Sequence, residues 1–216
     1  MNLQPVFWKK YKTYYLMNKP LLLTAVISCS FILFSMTGWA TDSDFLERID
    51  TVMLQHETLH GDFKQKKFLS GFSLPISSSG EFKLVKSKML VWDTQSPIKS
   101  TIELNLVKNE FLLDNHKINE NAAATAIFQL MSEVIVAVFE SDWNRLQNWF
   151  DITGDFIDQN TWQVKLVPEF ESLSKIINQI ELDGDSYLRH VTIIDTTQDK
   201  TQIEFLNISP QDSNAQ

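Results

Sequence analysis

The stretch Leu54–Lys67, LQHETLHGDFKQKK, admits two readings that exclude each other. His56, Glu57 and His60 spell H-E-x-x-H. On a helix that spacing sets two histidines one turn apart on one face, with the glutamate as general base of a zinc hydrolase. Three residues on, Phe63-Lys64-Gln65-Lys66 begins a run to Leu69 that mixes apolar and polar residues as a strand does. Gly61 directly follows the second histidine, where a helix would already be ending. The positions at which metzincin spacing needs a glycine and a third histidine hold Phe63 and Lys66. A downstream glutamate ligand such as Glu81 falls in a predicted strand. The strand reading is preferred, and a zinc hydrolase using His56, Glu57 and His60 is the alternative.

Upstream, Phe45, Leu46, Ile49, Val52 and Met53 recur at three- and four-residue spacing. With Ser43 as N-cap and Asp44 and Glu47 in the first turn, this predicts a helix over about Ser43–His56. Downstream, short alternating runs follow one another: Gly80–Val85, Lys88–Trp92, Ile102–Leu106 and Phe111–Leu113, with Pro75 and Pro97 in the connections. Ala122–Val138 then changes to helical spacing, with Ile127, Phe128, Leu130, Met131, Val134, Ile135 and Val138 apolar on nearly every side. Ser141 caps a short helix whose Trp143 and Trp149 read as core. Strands return at Phe150–Ile157, Trp162–Leu166, Ile177–Leu182, Tyr187–Ile194 and Thr201–Ile208, with a helical turn at Glu171–Ile176 and a hairpin signal at Gly184-Asp185. Short strands with polar connections predict an antiparallel meander and an α+β domain rather than βαβ units.

The first forty residues read as a signal peptide. Lys9, Lys10, Lys12 and Lys19 precede the apolar run Leu21–Met36, and Gly38-Trp39-Ala40 sets small residues for a cut before Thr41. Met17 offers an alternative start, and Val26-Ile27-Ser28-Cys29 a loose lipobox. Lipidation of Cys29 would leave the greasy stretch through Met36 on the mature chain, so cleavage near Ala40 is the expectation. That leaves one exported domain, 41–216, without cysteine. All 27 acidic residues lie in it but only 15 of the 19 basic ones, a formal charge of −12. Such a balance argues against nucleic acid, which needs a basic face, and against rest on an anionic membrane.

Further catalytic constellations are missing from the sequence. His116 and His190 have no nucleophile motif beside them, G-x-S-x-G is absent around Ser77–Ser79, and no glycine-rich phosphate loop occurs. We assign no catalytic residue, cofactor or metal on this basis. A sheet with one apolar face must cover that face or bind something in it. The apolar helix at Ala122–Val138 could act as a plug over a cavity that holds acyl chains by area burial, at about 25 cal/mol per Å². An exported structural protein with a dry core is the other alternative.

The order of short motifs resembles the LolA family of periplasmic lipoprotein carriers. Phe63-Lys64-Gln65-Lys66 stands for that family's F-x-Q-x, and Gly80-Glu81-Phe82 opens the next strand. Leu90-Val91-Trp92 with Pro97 follows, and Trp162–Pro168 ends in L-x-P. The resemblance implies an incomplete, half-open antiparallel β-barrel covered by two or three helices over a hydrophobic cavity. It implies a monomeric periplasmic carrier for the acyl chains of a lipoprotein or related lipid, passed from an inner-membrane donor to an outer-membrane acceptor without covalent chemistry. Phe63, Phe82, Leu90, Trp92 and Leu104, as apolar strand positions, are the expected cavity lining. Lys86 occupies the place of the family's lid-contacting arginine, where it keeps charge but loses the planar fork. The family's D-G-x-x-x-W segment is reduced here to Asn105–Leu113, without tryptophan.

Overall fold

The computed structural model describes residues 42–108, 110–117 and 123–211, with side chains at 44–108, 110–116 and 129–211. The expected signal peptide and cleavage site, Cys29 and the polar tail lie outside the described residues, as do the side chains of Ser43, Ile127 and Phe128.

Among the described residues, four helices and eleven strands follow in the order α1 (Asp42–Val52), β1 (Thr58–Phe68), β2 (Ile76–Val85), β3 (Met89–Ser96), β4 (Ser100–Asn105), β5 (Glu110–Leu113), β6 (His116–Lys117), α2 (Ala123–Phe139), α3 (Trp143–Gln147), β7 (Phe150–Phe156), β8 (Trp162–Pro168), α4 (Glu171–Ser174), β9 (Ile177–Gly184), β10 (Leu188–Asp195) and β11 (Lys200–Pro210). The strands form one antiparallel sheet in the order β6-β5-β4-β3-β2-β1-β11-β10-β9-β8-β7. It is therefore two meanders, joined where the first strand pairs with the last. β6 and β7 are the open edges, and the chain passes from one edge to the other through α2 and α3. This is the expected α+β half-barrel with covering helices.

Alternation makes the sheet two-sided. From Gly80 to Leu84 in β2 and from Trp162 to Leu166 in β8 every second residue is buried, as a strand with one covered face requires. Antiparallel partners share a face, so each register pair extends the same apolar surface across strands. Phe63 lies opposite Phe205, Phe82 opposite Trp92, and Leu90 opposite Leu104. Helix α2 supplies Val134, Ile135, Val138 and Phe139 to the same core, and α1 supplies Leu46, Ile49 and Met53.

The junction quoted at the outset differs from both sequence readings. Helix α1 ends at Val52 rather than His56, and β1 begins at Thr58 rather than Phe63. The backbone leaves the helix because other partners take it: Leu54 N–H donates to Ser186 O at 3.0 Å, and Glu57 O accepts from Lys86 N–H at 2.9 Å. Gly61 is not a break. It sits inside β1, paired with Phe82 of β2 beside a bulge toward β11. Its lack of a side chain is used there, since a Cβ would lie 2.8 Å from Phe82 Cε1 and 2.8 Å from Leu206 O. The cap of α3 also shifts by one residue: Asp142, not Ser141, accepts the Arg145 N–H.

Candidate functional site

The site begins with Phe63, Phe82, Leu90, Trp92 and Leu104. The five side chains come from β1–β4, share the inner face, and are between 1% and 4% exposed. Phe63 stacks on Trp92 with centroids 3.9 Å apart. Two further rings complete the cluster. Phe205 of β11 meets Phe82, Trp92 and Phe139 edge-on at 5.2, 6.0 and 5.5 Å. Phe139 closes it from above. Neither is singled out by the sequence reading, although the alternation Ile203, Phe205 marks the second meander as plainly as Leu90, Trp92 marks the first. Leu104 continues the apolar face to Phe111 in β5.

A polar seam runs along the edge of this core. Lys86, in the β2–β3 turn, donates from Nζ to Gln55 Oε1 at 3.3 Å. Gln55 Nε2 in turn donates to Ser141 Oγ at 2.6 Å, between α2 and α3. Ser87 N–H donates to the Glu140 carboxylate just past the end of α2. Trp143 Nε1–H donates to Asp50 Oδ1 at 3.0 Å, tying α3 to α1. Desolvation in the crevice between those helices raises the Asp50 pKa, outweighing the hydrogen bonds from Trp143 and Ser141. The seam thus links the α1–β1 junction, one hairpin and the covering helices.

The H-E-x-x-H reading fails on geometry. His56 lies in the connection, where its Nε2 is 3.2 Å from Tyr187 Oη and its ring stacks on that tyrosine. His60 lies in β1, paired with Ser209 of β11, with Nε2 3.1 Å from Ser209 Oγ. Two histidines on different elements cannot form the one-turn pair that the H-E-x-x-H motif needs. Among the described residues no three His, Cys, Asp or Glu side chains converge on a metal-sized site. On the outer face, His190 Nδ1 is 2.6 Å from Asp183 Oδ1 in a shallow crevice of about 450 Å³ that also holds Lys64, Lys66, Gln202 and Glu204. That lining is charged and solvated, and the apolar surface is on the opposite side of the sheet.

A family model described as outer membrane lipoprotein carrier protein LolA matches residues 55–216. Among solved structures, the chain is similar to MucB at 12% identity and a TM-score of 0.43, covering 81% of this chain and 60% of that one. It is similar to a LolA superfamily protein from Nitrosomonas europaea at 6% identity and a TM-score of 0.41, covering 79% and 93%. The MucA/MucB complex of Pseudomonas aeruginosa matches at 12% identity and a TM-score of 0.40, covering 79% and 58%. The chain thus spans about 60% of the length of MucB. No curated protein sequence matches it.

Proposed function

This chain belongs to the LolA family, and we propose that it carries the acyl chains of a lipoprotein, or of a related lipid, on the inner face of its half-barrel. The observation that carries the reading is the family match across residues 55–216, which takes in every strand of the sheet. The role is one of binding and release, without covalent chemistry. Its place is the periplasm, between a donor at the inner membrane and an acceptor at the outer membrane, and the protein works as a monomer.

Phe63, Phe82, Leu90, Trp92 and Leu104 are the proposed acyl contacts, with Phe205 beside them. In the closed form α2 covers this surface, so cargo must replace the helix. The exchange is energetically reasonable. A long acyl chain gains on the order of 10 kcal/mol from burial, at about 0.8 kcal/mol per methylene. Uncovering the large buried side chains of α2 costs a similar amount, at roughly 1.5–3 kcal/mol each. One apolar occupant trades for another with little net change, which suits a carrier that must also let go. The seam through Lys86, Gln55 and Ser141 is the proposed latch. It can part without exposing apolar surface, because its members are only hydrogen-bonded at the rim.

The test is organic extraction and mass spectrometry of the exported protein purified without detergent. Co-purifying lipid, or stoichiometric uptake of a fluorescent fatty-acyl probe, is expected. Absence of both would leave a dry structural core as the better reading.

A further inference from the structure

Five of the ten large apolar side chains that stand exposed among the described residues sit on two adjacent connections. Phe68, Phe72, Leu74 and Ile76 surround the β1–β2 turn, and Ile98 is at the tip between β3 and β4. β2 runs between β1 and β3, with Ile76 opposite Lys67 and Ser79 opposite Ser96. The two tips therefore project from the same end of the sheet, side by side. Phe72, Leu74 and Ile98 are 73%, 78% and 77% exposed, so they serve no core. The longer tip is held in shape. Ser70 N–H donates to Asp199 Oδ1 at 2.7 Å, and Phe72 N–H donates to Leu69 O at 3.0 Å. Clustered exposed apolar groups of this kind mark a contact surface.

Charge indicates what the contact is. From Thr41 onward the chain is strongly acidic, a balance that opposes an anionic membrane over the chain as a whole, yet locally residues 64–80 hold Lys64, Lys66 and Lys67 with no acidic residue. Residues 94–102 hold Lys99, again with no acidic residue. Lys200 stands opposite Phe68. The ion pairs among the described residues involve other side chains, so Lys67, Lys99 and Lys200 are uncommitted. Asp93, Asp114, Asp195 and Asp199 lie near these lysines and keep their charge, but each already accepts a hydrogen bond from the protein: Asp195 and Asp199 from backbone N–H groups, Asp114 from Thr101 N–H and Asp93 from the Thr101 hydroxyl. Apolar tips within a collar of lysines match the boundary of an anionic bilayer. There the apolar groups enter the acyl region while lysine stems keep their charges among the head groups.

We propose that the β1–β2 and β3–β4 tips form a docking element for an anionic lipid bilayer surface, bringing this end of the sheet to the membrane. The inference holds whether or not the inner face takes acyl chains. It can be read directly at the tip in the full chain. In a Cys29→Ser background, which removes the chain's one cysteine, an environment-sensitive fluorophore is attached at Leu74→Cys. A control label goes at Lys108→Cys, in the β4–β5 turn at the opposite end of the sheet. With vesicles of mixed phosphatidylglycerol and phosphatidylcholine, emission at position 74 should rise several-fold and shift to the blue. Phosphatidylcholine alone should leave it nearly unchanged, and the label at 108 should not respond. Adding Lys67→Glu and Lys99→Glu should abolish the rise. No response at 74, an equal response at 108 or with phosphatidylcholine alone, or survival of the response in the glutamate variant would overturn the proposal. A rise that needs only more protein, without vesicles, would show self-association and would overturn it equally.

Discussion

Phe139, the last residue of α2, stacks on Phe82 of β2 with ring centroids 5.7 Å apart, and Phe205 of β11 meets both rings edge-on. One contact thus joins the covering helix to the sheet at the seam between its two meanders. Its removal should leave a cavity in an otherwise packed core. Phe139→Ala is expected to cost about 3–5 kcal/mol, measured as a drop in the urea midpoint at unchanged slope. A loss below about 1 kcal/mol, the size of a surface change, would mean that α2 is not anchored there. If α2 is also the lid, the same variant should take up a fluorescent acyl probe faster than the wild type.

The rim seam should separate exchange from stability. Lys86 and Gln55 are joined by an exposed hydrogen bond, so Lys86→Ala should change unfolding free energy by less than about 1 kcal/mol. As a latch member it should nevertheless speed probe release several-fold in a stopped-flow assay. Unchanged release would remove Lys86 from the latch.

Gly61 is a packing position. An added methyl meets Phe82 Cε1 and Leu206 O, each 2.8 Å away. Gly61→Ala should therefore destabilise by about 1–3 kcal/mol. Shortening the opposing ring with Phe82→Leu should make the alanine cheaper, so the double variant should lose less than the sum of the singles. Strict additivity in a double-mutant cycle would place the strain elsewhere.

Asp50 gives a pH dependence of defined sign. Its folded-state pKa is raised above the ordinary carboxylate value, chiefly by desolvation between α1 and α3. Below that value the group is protonated in both states. As pH climbs, the unfolded chain ionises first while the folded protein still holds its proton, so unfolding releases a proton and stability falls. The decline ends once pH has passed the raised folded value. Asp50→Asn keeps an acceptor for Trp143 Nε1–H without the charge. It should flatten this part of the profile and leave the protein at least as stable at neutral pH. Thermal melts from pH 3 upward check it.

What could be read locally and what could not divide along physical lines. The strand Trp162–Pro168 is legible because Trp162, Val164 and Leu166 alternate with polar residues and a proline stops it. The run to Phe139 is legible as helix because its apolar spacing is helical. The end of α1 is not legible. It depends on Ser186 and Lys86, residues far along the chain, which take the backbone of Leu54 and Glu57 out of the helix. Gly61 misleads for a related reason, since the partner that needs its missing side chain, Phe82, arrives only through strand pairing. The cavity candidates are legible as apolar strand positions, and the structure places all five on one buried face. The place of Phe205 beside Phe63 is not legible, because the pairing of the first strand with the last has no local signature. The tips at Phe72 and Ile98 look like ordinary connections until the sheet sets them side by side.

In the proposed carrier, acyl chains lie on the inner face, between the sheet and α2. A photoactivatable fatty-acyl probe, crosslinked to the protein and mapped by peptide mass spectrometry, tests it most directly. Labels on Phe82, Trp92, Leu104, Phe205 or the buried side of α2, competed away by unlabelled lipid, are the expected result. Labels confined to the outer face around Lys64 and His190, or no competable labelling, would contradict it.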